Sequence, residues 1–175
     1  MSSTSAAPTN RIAASLINEM TNEIATTRKV LQRLPADKFS WKPHEKSMEL
    51  GRLASHVAEM FGWTQSTMAS SELDFATMDY KPFEPTTNED LVEFFEKKSS
   101  EALSALEGKP DEAFMEMWAL KNGEQTYFTL PKVAVMRSFV MNHIIHHRGQ
   151  LSVYMRLLDV PVPGIYGPSA DEPAM

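Results

Sequence analysis

Apolar residues recur along much of this chain at intervals of three, four and seven, the spacing that lines one face of an α-helix. Ile17, Met20, Ile24, Leu31 and Leu34 mark a first helix, with Thr9 or Asn10 as its N-cap and Pro35 as its stop. A second begins near Ser47, a favourable cap, and runs through "MELGRLASHVAEMFGWTQSTMAS", with Leu53, Met60 and Trp63 on one stripe. "TNED" opens a third: Thr87 and Asp90 have the spacing of a capping box, followed by Leu91, Phe95, Ala102 and Leu106 before Gly108. A fourth starts at Pro131 and continues to about Leu158, where "VPVPG" forbids more helix. Between the third and fourth, "FMEMWALKNGEQTYFTL" breaks the pattern. Its Asn122-Gly123 pair, flanked by alternating residues, predicts a hairpin of two short strands.

These elements predict an all-α fold: a four-helix bundle with a small β-hairpin between helices 3 and 4. The connections before the second and third helices run to roughly a dozen residues, longer than simple antiparallel bundles need, which favours crossover loops. Residues 1–10 are polar and read as a disordered tail, leaving 11–175 as one domain. No apolar run is long enough to span a bilayer, and the opening "MSSTSAAPTN" lacks the basic start and apolar stretch of a secretory signal. Cysteine is absent, which removes disulfides, thiolate metal ligands and a cysteine nucleophile from consideration. Together these features fit a cytoplasmic protein that does not engage membranes. A net charge of −6, with no Lys/Arg cluster, argues against nucleic acid as a partner.

Candidate chemistry concentrates in "NHIIHHRGQ", residues 142–150, which holds three of the chain's five histidines. On a helix, His143 and His147 stack on one face, and Met136, Phe139, Gln150, Tyr154 and Leu157 lie within about 40° of that stripe. Two imidazoles on a mostly apolar stripe need partners for their ring nitrogens, and a shared metal ion is one answer. Hydrogen-bonded core histidines are the other. His56 shares the second helix's stripe with Leu53, Met60 and Trp63, so it offers a third inward ligand from a facing helix. His44, in "KPHEKS", is expected to face solvent, and His146 to sit at the boundary of the stripe. Arg148 points about 140° away from His143 and should contact another element or a partner chain.

Two stretches, "FSWKPHEKSMELGRLASHVAEM" (39–60) and "NHIIHHRGQLSVYMRLLDVPVPGIYGPSADE" (142–172), resemble the DinB family of damage-inducible, DinB/YfiT-like metalloproteins. The resemblance implies a bundle of up-down-down-up topology, frequent homodimers, and one divalent metal ion per chain held by three histidines. Matched position by position, those histidines fall on His56, His143 and His147. The family name refers to induction by DNA damage and implies no DNA binding.

Imidazole ligands suit zinc or nickel foremost, with iron and copper also compatible. Three neutral ligands with a free fourth position fit an enzyme of metal-assisted hydrolysis acting on a small molecule. Glu59, three residues after His56, is its candidate base; the alternative is a solvated carboxylate at the stripe's edge. A second reading is a thiol transferase in which a low-molecular-weight thiol supplies the thiolate, although the chain carries no thiol-binding signature. A third is a structural metal protein whose site is closed by Glu59 or Tyr154. Trp41, Trp63 and Tyr166 line a cleft or belong to the core, and the 12 methionines fill irregular packing. Met141, Ile144 and Ile145 make the fourth helix apolar on its other side, a stripe for the hairpin or a second subunit to cover.

Overall fold

The computed structural model describes residues 10–172. Helix α1 spans Arg11–Leu31, α2 Leu50–Ala69 and α3 Asn88–Leu106, and a single 3-10 turn, Ala36–Lys38, follows α1. After the short α4 (Asp111–Met115) come strands β2 (Met117–Asn122) and β3 (Gln125–Pro131), with β1 at Glu72–Asp74 earlier in the chain. The last helical run is continuous but not uniform: α5 (Lys132–Val135), a π-helical turn (Met136–Met141) and α6 (Asn142–Leu157). Helix α3 packs on α1 and α2, and α6 packs on the same two, so one apolar core lies among them. Phe61 of α2 and Phe95 of α3 meet edge to face at its centre, with ring centroids 5.3 Å apart. No described helix is long and apolar enough to cross a membrane.

Helix starts show where side-chain capping holds and where backbone replaces it. At α3 the capping box forms: Thr87 Oγ1 accepts from the Asp90 N–H at 3.0 Å and Asp90 accepts from the Thr87 N–H at 3.1 Å. Ser47, by contrast, does not cap α2. The N-cap is Glu49, without a side-chain bond, and Ser47 lies in the preceding turn, donating to the His44 carbonyl. The first-turn donors of α2 have backbone partners instead: Leu50 N–H reaches the Trp41 carbonyl at 2.8 Å and Gly51 N–H the Phe39 carbonyl at 2.9 Å. A β-carbon at Gly51 would sit 2.9 Å from Phe39 Cβ, so glycine permits that close approach. Asn10 is the N-cap of α1 but makes no side-chain bond; Ile12 N–H donates to Asp111 on α4. Thr9, the alternative cap, lies outside the described residues, as does the expected tail apart from Asn10. Pro131, the expected first helical residue, closes β3 and caps α5, so the helix starts one position later, at Lys132.

The expected two-stranded hairpin is a three-stranded sheet of order β1-β2-β3. β2 and β3 pair antiparallel through Asn122-Gly123 as anticipated, with Gly123 at φ +60, and β1 adds a parallel edge. Three residues are too few for a period-2 pattern to show, so β1 had no signature in the sequence. It is fixed from outside: Leu73 packs with Trp118, Leu120 and Val135 in a second small core under the sheet. Asp74 accepts from the Gly123 N–H at 2.8 Å, tying β1 to the turn.

The outer stripe of the fourth helix is covered within the chain at Met141 and Ile144, whereas Ile145 is half-buried. Met141 and Ile144 are buried in the main core, against the side of the bundle that α1 occupies. Arg148 is 1% exposed and does contact another element: it ion-pairs with Glu23 of α1 at 2.6 Å and donates to Thr27 at 3.0 Å. Its other amino group donates to Tyr166 at 2.6 Å, so Tyr166 belongs to this network and not to a cleft. Trp41 likewise packs edge to face on Tyr154 against the core.

Candidate metal centre

Helix α2 delivers His56, and α6 delivers His143 and His147 one turn apart. Each offers one ring nitrogen within 4.8 Å of the others, a spacing that could hold a metal ion, and no other such group occurs among the described residues. Ring centroids are 5.4 Å apart for His56 and His143, 4.9 Å for His56 and His147, and 4.7 Å for His143 and His147. Trp63, two turns beyond His56, lies 5.8 Å from its ring and 5.6 Å from that of His143, and stacks on Phe139 at 4.7 Å. The expected apolar stripe is therefore an aromatic wall beside the histidines. His147 is buried and His143 half-buried, while Leu157, assigned to the same stripe, is 57% exposed. His44 is exposed, as anticipated, and His146, expected at the boundary of the stripe, is exposed as well.

The three rings differ in what surrounds their nitrogens. His147 Nδ1 lies 2.6 Å from Gln150 Oε1; an amide oxygen only accepts, so Nδ1 carries the proton and Nε2 keeps its lone pair. The Phe139 carbonyl, in the π-helical turn, lies close enough to the His143 ring to favour its protonated form. His56 Nδ1 is buried without a hydrogen-bond partner and stands 3.8 Å from Glu59 Oε2. Burial, and then the neighbouring imidazoles, push His143 down to about 4. Burial lowers His147 too, partly opposed by its bond to Gln150. Both rings are therefore neutral at physiological pH, the state a metal ligand needs.

Glu59 is neither exposed nor free. At 8% exposure it accepts from Arg52 at 3.1 and 3.2 Å, from the Tyr80 hydroxyl at 2.6 Å and from the Phe83 N–H at 2.7 Å. Burial alone would raise its pKa. The nearby His56 ring, Tyr80, the Phe83 amide and the Arg52 charge outweigh that and hold it below the ordinary range. The same network pushes Tyr80 up to about 12, through burial first and the Glu59 carboxylate second. Tyr154 is committed elsewhere, its hydroxyl donating to the Met48 carbonyl at 3.2 Å.

A cleft of about 740 Å³ opens on the His56 side of the cluster. His56, Glu59 and Trp63 form part of its wall, whereas His143 and His147 do not reach it. Arg52, Tyr80 and Phe83, which the sequence did not single out, brace Glu59. Arg52 lies two helical turns before Glu59 on α2, a readable spacing, while Tyr80 and Phe83 arrive from a loop that carries no periodic signal. Gln150, three residues after His147, was legible in principle as that ring's partner.

The chain is 27% identical over 150 residues to the uncharacterized protein YrdA of Bacillus subtilis strain 168, covering 86% of this chain and 85% of that one. Its fold is similar to the crystal structure of a DinB-like protein from Bacillus cereus ATCC 10987, with TM-score 0.68 and 24% identity over 87% of this chain and 97% of the other. It is also similar to the DinB-like protein YjoA of Bacillus subtilis, with TM-score 0.66 and 21% identity over 83% and 92% of the two chains. The model of the DinB family matches residues 1–174, so the chain belongs to the DinB family.

Proposed function

We propose that His56, His143 and His147 bind one divalent transition-metal ion, zinc or nickel foremost, and that the ion serves metal-assisted hydrolysis of a small molecule entering by the cleft. The observation that carries this reading is the convergence of three ligand nitrogens within 4.8 Å, with one of the three residues, His56, on the wall of an open cleft. The donor set fits: the two rings of α6 are neutral, and His56 brings a third imidazole beside them. A bound ion would supply a Lewis acid and acidify water. Glu59 acts in this reading as a positioning residue, with its carboxylate already engaged by Arg52, Tyr80 and Phe83. From 3.8 Å it orients the His56 ring and leaves Nε2 for the metal, as carboxylates do behind histidine ligands. With Glu59 and Tyr154 both occupied, neither closes the fourth position, which favours chemistry over a purely structural ion.

Metal analysis tests the site. About one divalent ion per chain is expected, lost in His56→Ala, His143→Ala and His147→Ala but kept in His44→Ala; full occupancy in the first three would sink the assignment. Screening esters and amides with and without a low-molecular-weight thiol tests the reaction. Turnover only with thiol would replace hydrolysis by thiol transfer.

Two further readings rest on the family and on packing. The contacts of α3 and α6 with both α1 and α2 support a four-helix bundle, and family membership supports its up-down-down-up order, which an experimental structure would check. Val153 and Leu157 are each 57% exposed near Gly149, where a β-carbon would touch nothing, and this side of α6 supports a homodimer. A monomer mass by light scattering at micromolar concentration would overturn it.

A further inference from the structure

The cleft beside the histidines has a directional lining. At one end stand His56 and Glu59; α2 then forms its floor through Gly62, Trp63 and Ser66. One wall is the stacked pair Phe83 and Phe94, with ring centroids 4.1 Å apart and planes 12° from parallel. The lining also includes Phe75 and Met78, exposed by 41% and 36%. Large apolar side chains left in contact with water around a concave site mark a surface that a ligand can cover.

The far end carries a fixed cation. Lys98 crosses the floor at Gly62, where a β-carbon would lie 3.0 Å from its Cδ, so the missing side chain makes the space its stem uses. Its ammonium sits 5.8 Å from the Phe94 ring centre and 2.8 Å from Glu101, a partner outside the cleft lining. An ammonium has three donors, so the Glu101 contact leaves others for a ligand. The lining is balanced in charge: Arg52 pairs with Glu59 and Lys98 with Glu101 outside the lining, which leaves Lys81 against Glu84, in a chain that carries −6 as a whole.

We propose that the cleft admits a small organic acid, its flat apolar body against Phe83, Phe94 and Trp63 and its carboxylate on Lys98. This rests on the metal-centre reading only for the far end of the molecule, where the group to be cleaved meets the ion. From His56 to Gly62 the helix rises about 9 Å, so carboxylate and reacting group are separated by roughly one ring and a short linker. Lys98 is then the specificity-determining residue for the acid.

Binding to the metal-free full chain tests this without activity. Ligand-observed NMR titrations use trans-cinnamate, which has the required span, and its uncharged amide. The wild-type chain should bind the acid more tightly than the amide. Lys98→Met should weaken the acid about fivefold while leaving the amide unchanged, the magnitude of a partly exposed charge contact. Unchanged amide affinity also reports that the variant is folded. Lys98→Arg should recover the acid's affinity, and Lys97→Met, outside the lining, should not alter it. Equal affinity for acid and amide, no binding of either, or a Lys98→Met effect below twofold overturns the proposal. Loss of metal stoichiometry is measured separately and bears only on the metal centre.

Discussion

Replacing Arg148 by Met keeps most of its length and removes its charge from the best-buried ion pair in the described structure. The wild-type guanidinium, 1% exposed, contacts the Glu23 carboxylate at 2.6 Å, the Glu23 carbonyl at 3.3 Å, Thr27 Oγ1 at 3.0 Å and the Tyr166 hydroxyl at 2.6 Å. Without it, the Glu23 side chain, 11% exposed, retains only the Tyr166 hydroxyl, 2.9 Å from each oxygen. Leaving one charge buried and unpaired costs about 3–5 kcal/mol. For a domain of this size that is roughly 6–20 °C in Tm, since each kcal/mol shifts it about 2–4 °C. Urea denaturation followed by circular dichroism gives the free energy directly. Adding Glu23→Leu to Arg148→Met removes the orphaned charge and should recover half or more of the loss, because a buried pair replaced whole is often nearly neutral. Metal stoichiometry should not change, because the guanidinium faces α1. A single-variant cost under about 1 kcal/mol, or a double variant as unstable as the single, refutes the reasoning.

Three further outcomes are expected. Glu59→Gln should lower metal affinity about 10–100-fold in a chelator competition, the usual cost of losing a ligand's orienting partner; wild-type affinity would show that His56 needs no such support. Metal-free stability should be flat above about pH 7 and decline between about pH 6.5 and 4. The unfolded chain binds a proton at His143 near its ordinary value, whereas burial holds the folded ring at about 4, so protons favour the unfolded state in that window. The carboxylates held low, such as Glu59 and Glu96, add their loss only at lower pH. In His143→Asn the decline between pH 7 and 5 should shrink, and thermal melts across pH that show no wild-type decline there would contradict the assignment. Thr87→Ala should destabilise by about 1 kcal/mol through loss of the α3 cap, whereas Ser47→Ala, which removes no cap, should be near neutral in the same urea titrations.

The sequence was legible where a local pattern decides the structure. The capping box at Thr87 and Asp90 depends on four consecutive residues, and it forms. The histidines on α2 and α6 meet because helical periodicity put each on an inward face. The pattern failed where distant backbone supplies what a side chain was expected to supply: Trp41 and Phe39 carbonyls serve the start of α2, so Ser47 is not used. Strand β1 was invisible for the same reason, being held by β2 nearly fifty residues away. The stripe covering Met141 and Ile144 was read as an outer surface because a single helix cannot show which neighbour, here α1, lies behind it.

The π-helical turn explains the remaining difference and bears on the site. On an unbroken α-helix Met136 and His143 would lie about 20° apart and share one environment. Met136 is fully buried and His143 only half-buried. The buried positions run 135/136, 140/141, 144, 147/148 and 151, so the first step is about one residue longer than those that follow. One extra residue in the turn, as in a π-helix, shifts the phase of everything after it by about 80–100°. The shift lets Met141, at the end of the turn, and Ile144 and Arg148 of α6 be buried on one side while His143 and His147 meet His56 of α2 on the other. It also ends at the start of α6, and the Phe139 carbonyl close to the His143 ring lies within it. The stretch "HHRGQ" is thus divided by geometry: His147 and Gln150 serve the candidate metal centre, Arg148 locks the helix to α1, and the π-helical turn sets the angle at which both are possible.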